Sequence, residues 1–209
     1  ILKHNTVTNL TMVDIDIDVL EGCKKHLSDL HGDTFKDKRL NLVITDIRNY
    51  IEETTLMFDV IIIDVPDPLE NGPAYKIFTQ EFYALLKTHL NQSGTMVTQS
   101  GPTSLSYDED CFYPIVNTVK TIFRNTIAYD VFVPSYGSTW GFTMSMNGNA
   151  ALTRSSLEVD EILSSRNVEN LRMYDGRAHS GLHSFPKYLR ESLAKETRVI
   201  TDNNPLFVK

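Results

Sequence analysis

Residues 58–63 read Phe-Asp-Val-Ile-Ile-Ile, and the chain continues Asp64, Val65, Pro66, Asp67, Pro68. An isoleucine run of this kind fits a strand covered on both faces, as in a parallel sheet, and it stops abruptly at two carboxylates, each followed within two residues by a proline. Open sheets of parallel strands bind ligands just past the carboxyl ends of their strands. That rule places the chemistry at Asp64 and Asp67. The alternative is an ordinary strand-to-loop turn with solvated acids, because Asp and Pro are favoured turn residues.

The same pattern occurs twice earlier. Residues 10–15 form a short apolar run ending in acids, followed by Val19, Leu20, Cys23, Leu27 and Leu30 at helical spacing. Residues 40–44 repeat it and end near Asp46. A helix is expected over 75–90, with Ile77, Phe78, Phe82, Leu85 and Leu86 on one side and a stop at 91–94. A strand over 95–98 then ends at Gln99, and residues 111–123 form another helix. This alternation implies parallel pairing with right-handed crossovers. Residues 127–133 and 139–146 suit an antiparallel pair at one sheet edge, joined through 134–138. Beyond residue 157 the tail reads as two helical pieces, then Val199, Ile200 and a turn at Asn203-Asn204-Pro205.

Length and composition set outer limits. With 209 residues, 41% of them hydrophobic, the chain is long enough for one large domain or a domain with an appendage. No run approaches the roughly 20 apolar residues of a membrane helix, and no secretory leader is recognisable, so a soluble cytoplasmic protein without a membrane partner is expected. A net charge of -7 disfavours a nucleic-acid partner and suits a cationic small substrate. Cys23 and Cys111 lack metal-ligand spacing and are expected to be free thiols. His179 and His183 are four apart, but Gly181 lies between them and no glutamate follows His179, so no metal site is expected.

Asp14, ending the first strand, is placed to accept from ribose hydroxyls, and Asp46 from an exocyclic adenine amine. The alternative for Asp14 is a helix N-cap, Asp46 is equally suited to capping the turn over 47–51, and for Asp16 the cap is the preferred reading. No glycine-rich turn of the kind that opens a nucleotide-binding domain is present. The chain starts at Ile1 without methionine and is expected to begin inside a larger protein.

On these residues the chain resembles the polyamine aminopropyltransferases, the spermidine synthase family. The markers are Val13-Asp14-Ile15-Asp16, Thr45-Asp46, Asp64-Val65-Pro66-Asp67-Pro68, Gly72-Pro73-Ala74 with Phe78 and Phe82-Tyr83, residues 94–99, and Pro134-Ser135-Tyr136. Gly72-Pro73-Ala74-Tyr75-Lys76, Thr98-Gln99-Ser100-Gly101-Pro102 and the stretch 135–141 look more like the thermospermine synthase branch. The resemblance implies an α/β fold with a Rossmann-like sheet of the class I methyltransferase type, mostly parallel, with an antiparallel edge hairpin. It assigns residues 1–150 to the catalytic domain and 151–209 to a helical extension. It also implies that the first strand, between those ending at Asp14 and Asp64, and an N-terminal β-domain lie outside this chain.

By the same resemblance, the co-substrate is decarboxylated S-adenosylmethionine and no cofactor is tightly bound. Asp64 is the proton acceptor, assisted by Tyr136 through a hydrogen bond. Asp67 binds a second ammonium group, Gln99 the acceptor amine, and Pro73 and Ala74 the adenine. A homodimer or homotetramer is implied as well. Without the resemblance, Tyr136 reads as a packed aromatic, Gln99 as a loop residue, and Trp140 and Phe142 as core residues of the hairpin. Two rivals stand beside this reading: a methyltransferase using ordinary S-adenosylmethionine, whose donor carboxylate would meet like charge at Asp64 and Asp67, and a noncatalytic fragment of the same fold.

Overall fold

The three early strands form where the apolar runs place them: β1 (Leu10–Asp14), β2 (Leu40–Ile44) and β3 (Phe58–Ile63). The computed structural model describes residues 1–70, 72–105 and 110–208. They form two units, one from residues 1–54 with 165–168 and the other from 55–164 with 169–209.

In the first unit β1 and β2 pair in parallel, from Leu10 opposite Leu40 to Asp14 opposite Ile44. Helix α1 (Ile17–His26) begins at Asp16, whose Oδ1 accepts from the amides of Asp18 and Val19 at 2.9 and 3.1 Å. That is the expected cap. The helical spacing through Leu30 does not give one helix, because the chain leaves helical geometry at Leu27 and restarts as α2 (Ser28–His31). Leu20 is the only buried residue of α1, and Leu30 is 82% exposed. A two-stranded sheet offers an amphipathic helix little apolar surface to cover. Helix α3 (Ile47–Glu53) follows β2.

The second unit contains α4 (Gln80–Thr88), β4 (Leu90–Pro102), α5 (Phe112–Ile122), β5 (Asn125–Val133) and β6 (Ser138–Met146). Its sheet runs β3-β4-β6-β5, with β3 and β4 parallel and the later pairs antiparallel. The hairpin lies at the sheet edge as expected, with β5 outermost and β6 inside.

Several local expectations need correction. The helix expected over 75–90 is a 3-10 turn (Pro73–Ile77) followed by α4. Thr79 separates them: its hydroxyl donates to the Lys76 carbonyl and accepts from the Phe82 amide. The stop expected at 91–94 is instead an irregularity inside β4, between the pairs Phe58–Leu90 and Val60–Thr95. A side chain at Gly94 would lie 3.0 Å from the Phe58 carbonyl oxygen, so glycine lets the two strands stay close there. The tail holds three helices rather than two, α6 (Ser156–Ser165), α7 (Gly176–Leu182) and α8 (Lys187–Lys195). The additional start comes from Asp175, which caps α7 by accepting from the Ala178 amide.

Cover on β3 is one-sided, contrary to expectation. Val60 and Ile62 are 58% and 50% exposed, whereas Ile63 is buried. Helices α4 and α5 contact each other. Helix α5 is the centre of the core. Its Phe112, Tyr113 and Val116 pack with Phe185 and with Leu189 of α8, and its Ile115 joins Ala74, Phe78, Cys111 and Ile200. No helix among the described residues is long and apolar enough to cross a membrane.

Helix α5 comes close to the sheet at Gly141, where an added Cβ would fall 2.4 Å from the Phe112 ring and 2.9 Å from the Thr103 methyl. Gly141→Ala should therefore destabilise the fold by about 1–3 kcal/mol through overpacking. Gly22→Ala, in the open middle of α1, should stabilise by roughly 0.5–1 kcal/mol. Urea denaturation of both variants tests this, and equal effects would contradict the packing described.

Candidate functional site

Asp64 is the first residue beyond β3 and is exposed. Asp67, three residues on, is partly buried. The segment carrying them is held from several directions. The Val65 side chain packs on the cluster of Ala74, Phe78, Cys111, Ile115 and Ile200, and the Pro68 carbonyl accepts from the Val208 amide at 3.0 Å.

The remaining attachment is Gln99. It is not a loop residue: it lies within β4 and is 4% exposed. Its Nε2 donates to the Val65 carbonyl at 3.0 Å and to Asp67 Oδ1 at 3.1 Å. Its Oε1 accepts from the Gly101 amide at 2.9 Å and from Trp140 Nε1 at 3.0 Å. A primary amide has two donors and two acceptor lone pairs, so this side chain is fully used, and its orientation is fixed by its neighbours. It joins the acid segment, β4 and β6 at one point.

The local backbone makes this possible. The pairing of β4 with β6 shifts between Gln99 and Gly101, a bulge that turns the Gly101 amide toward the Gln99 side chain. Gly101 has φ +85°, and a Cβ there would lie 2.0 Å from Cys111 Sγ. Only glycine meets both conditions. Cys111 is itself a buried free thiol, pushed up in pKa first by burial and then by the charges of Asp67 and Asp110, which makes it a packing group and not a nucleophile.

Burial raises the Asp67 carboxyl above the usual carboxylate range, and the hydrogen bond from Gln99 partly opposes that rise. Trp140 extends the network outward, its ring tilted against Tyr136 with centroids 4.7 Å apart. Tyr136 lies in the β5–β6 turn and is 61% exposed. Its ring rests on Trp140, and it makes no hydrogen bond to Asp64. Apo sites often tighten such contacts only when ligand binds.

In the first unit Asp14 is the last residue of β1, and Asp46 lies two residues past β2. Asp14 Oδ1 accepts from the Asp16 amide at 2.9 Å. Asp46 is the N-cap of α3, with Oδ1 accepting from Arg48 and Asn49 amides at 2.7 and 3.4 Å. Pro73 and Ala74 open the 3-10 turn; Pro73 is exposed, while Ala74 is buried in the core cluster. His179 contacts His183 ring to ring and bonds the Tyr174 hydroxyl through Nδ1. No group of three metal-ligating side chains occurs among the described residues.

The structure thus brings Asp67, Gln99 and Tyr136 into one chain of contacts and adds Trp140, which sequence reasoning assigned to the hairpin core. A glycine two residues after Gln99, inside a strand, was the available signal for the bulge.

Comparison with known proteins identifies the family. The spermine/spermidine synthase domain model matches residues 1–156. The polyamine aminopropyltransferase of Saccharolobus solfataricus is 38% identical over 208 residues, 100% of this chain and 68% of that protein. The polyamine aminopropyltransferase of a Synechococcus species is 36% identical, over 98% of this chain and 66% of its own length. The crystal structure of spermidine synthase from Thermotoga maritima superposes with a TM-score of 0.78 at 24% identity, over 93% of this chain and 63% of that one. A spermidine synthase in complex with the transition-state analogue AdoDATO superposes with a TM-score of 0.81 at 25% identity, over 93% of this chain and 64% of that one. The fold is therefore α/β and Rossmann-like, of the spermidine synthase type. The chain belongs to the spermine/spermidine synthase family and spans about two thirds of the length of the relatives it matches.

Replacing Gln99 tests the network. Gln99→Leu keeps the bulk but strands the Gly101 amide, the Trp140 indole N–H and the Val65 carbonyl, and should cost about 2–4 kcal/mol in urea denaturation. Loss of the donated bond should also raise the Asp67 pKa further, read from its carboxyl carbon by NMR titration. The sign for stability follows: because folding raises this pKa, the contribution of Asp67 is most favourable below its unfolded value and is lost as pH rises through the folded one. Asp67→Asn should flatten stability across that window, and an unchanged profile would contradict the burial of its charge.

Proposed function

We propose that the protein carrying these residues transfers the aminopropyl group of decarboxylated S-adenosylmethionine to a polyamine acceptor, putrescine or spermidine, releasing 5′-methylthioadenosine. The observation that carries this reading is the pair of carboxylates past β3: Asp64 is open to ligand, and Asp67 is half-buried and oriented by Gln99. The names of the relatives support it, as does the analogue complex of a structural neighbour. The protein is proposed to act in the cytoplasm as a homodimer or homotetramer, with residues 1–150 forming the catalytic portion and 151–209 a helical extension.

The chemistry needs an amine with a free lone pair. An alkyl ammonium has a pKa near 10.4, so at neutral pH the site must first hold a cation and then take a proton as nitrogen approaches the carbon beside the sulfonium. Asp64 accepts that proton. Nitrogen forms the new bond to carbon, and the carbon–sulfur bond breaks with its electrons going to sulfur, which leaves as a neutral thioether.

A carboxylate is a weak base for this task, with a reference pKa near 3.9, so positioning supplies most of the effect; alignment of reacting groups can lower a barrier by roughly 7–11 kcal/mol. Gln99 contributes to positioning. Its valences are occupied by protein groups, and its role is to aim Asp67 at the second ammonium of the bound amine. Trp140 and Tyr136 give that end of the site an aromatic wall suited to a cation. In the other unit Asp14 and Asp46 are proposed to hold ribose and adenine.

Asp64→Asn should lower turnover by about 100-fold or more while leaving methylthioadenosine binding measurable. Product analysis by mass spectrometry, with decarboxylated and ordinary S-adenosylmethionine each offered with putrescine and spermidine, checks both donor and acceptor. Near-normal turnover in Asp64→Asn would reject the proton-acceptor role. Methyl transfer without aminopropyl transfer would overturn the reaction class.

A further inference from the structure

A second carboxylate of the same unit lies in a setting that the aminopropyl-transfer site does not use. Asp130 is on β5, the outermost strand, opposite Gly141 of β6; its neighbour Val131 is opposite Trp140. Successive strand residues point to opposite faces, so Asp130 and Trp140 face away from each other. The Asp130 Oδ2 accepts from Thr103 Oγ1 at 2.9 Å, and Thr103 Oγ1 lies 2.8 Å from Thr139 Oγ1. No lysine, arginine or histidine among the described residues forms an ion pair with it. Burial raises its carboxyl above the usual range, opposed by the Thr103 bond. A carboxylate withdrawn from water without a cation is costly unless something positive joins it.

The groove beside it is mostly apolar. Asp130, Val131 and Phe132 line a groove of about 460 Å³ with Met173 and with Ala178, Gly181 and Leu182 of α7. Phe132 and Met173, from separate parts of the chain, are 58% and 61% exposed. Gly181 leaves open space where a side chain would project, with nothing within 4 Å of an added Cβ. The volume lies in the range of small-molecule sites, which are mostly apolar with a few placed polar groups.

We infer that this groove binds a small linear alkylamine, its ammonium on Asp130 and its methylene chain along Phe132, Met173 and Leu182. The match rests on complementarity: the site offers one uncompensated negative charge and a hydrocarbon wall with an aromatic face, and an alkylammonium presents one positive charge and a hydrocarbon stem. The inference is independent of the reaction proposed at Asp64, since it requires neither the nucleoside-binding unit nor the Gln99 network.

The test is an NMR titration of the full chain with n-butylammonium chloride, with n-butanol as the uncharged control. Saturable shifts are expected at Val131, Phe132, Ala178 and Gly181, and n-butanol should not reproduce them. Asp130→Asn should weaken binding at least about tenfold, the scale of a lost charge-assisted hydrogen bond. Gly181→Leu should block the groove from the helix side and abolish the shifts, and it decides the matter if Asp130→Asn does not fold. Trp140, the only tryptophan, reports the other site by fluorescence. Shifts confined to the surroundings of Asp64, Asp67 and Trp140, or an affinity unchanged in Asp130→Asn, would overturn the inference. Failure of aminopropyl transfer would leave these shifts in place.

Discussion

The amide of Gln99 is the constraint on which the acid segment depends. Each of its valences is met by a group that the fold cannot easily move: a backbone carbonyl and a carboxylate of the segment after β3, a backbone amide of its own strand, and an indole on β6. An ion pair at the same place would tolerate a shifted partner, because Coulomb attraction is not directional. An amide held at both ends is directional, and it fixes where Asp67 points before any ligand arrives. Burial raises the Asp67 pKa, and the hydrogen bond from Gln99 restrains the rise.

That placement is allowed by glycines. Gly101 takes a left-handed backbone next to the bulge and makes room for Cys111, and Gly141 lets the Phe112 ring approach the sheet. Helix α5 can consequently lie close beneath β4 and β6, and its residues form both halves of the core. Site and core are thus the same construction seen from two sides: the strand that carries Gln99 outward also carries the glycine that seats the central helix.

Much of this was legible in the residues. The bounds of β2 and β3, the hairpin, the Asp16 cap and the position of Asp64 and Asp67 just past a strand follow from local pattern, because alternation, apolar runs and capping act over a few residues. What escaped was non-local or depended on backbone irregularity. Gln99 meets partners 32 to 41 residues away, which no periodicity encodes. Strand β4 runs through a polar stretch at 91–94 because β3 pairs with it on both sides of the irregularity. Trp140 reads as a core aromatic until the bulge gives its indole N–H an acceptor. The helix at 75–90 divides because Thr79 can bond in both directions, an option that apolar spacing does not reveal.

Strand β3 has a further consequence. Among the described residues only β4 pairs with it, and Val60 and Ile62 face water. Branched side chains beside an unpaired row of amides and carbonyls make a template to which another extended chain can add. A strand paired along that margin would brace β3 from its second side, and with it the segment that carries Asp64 and Asp67.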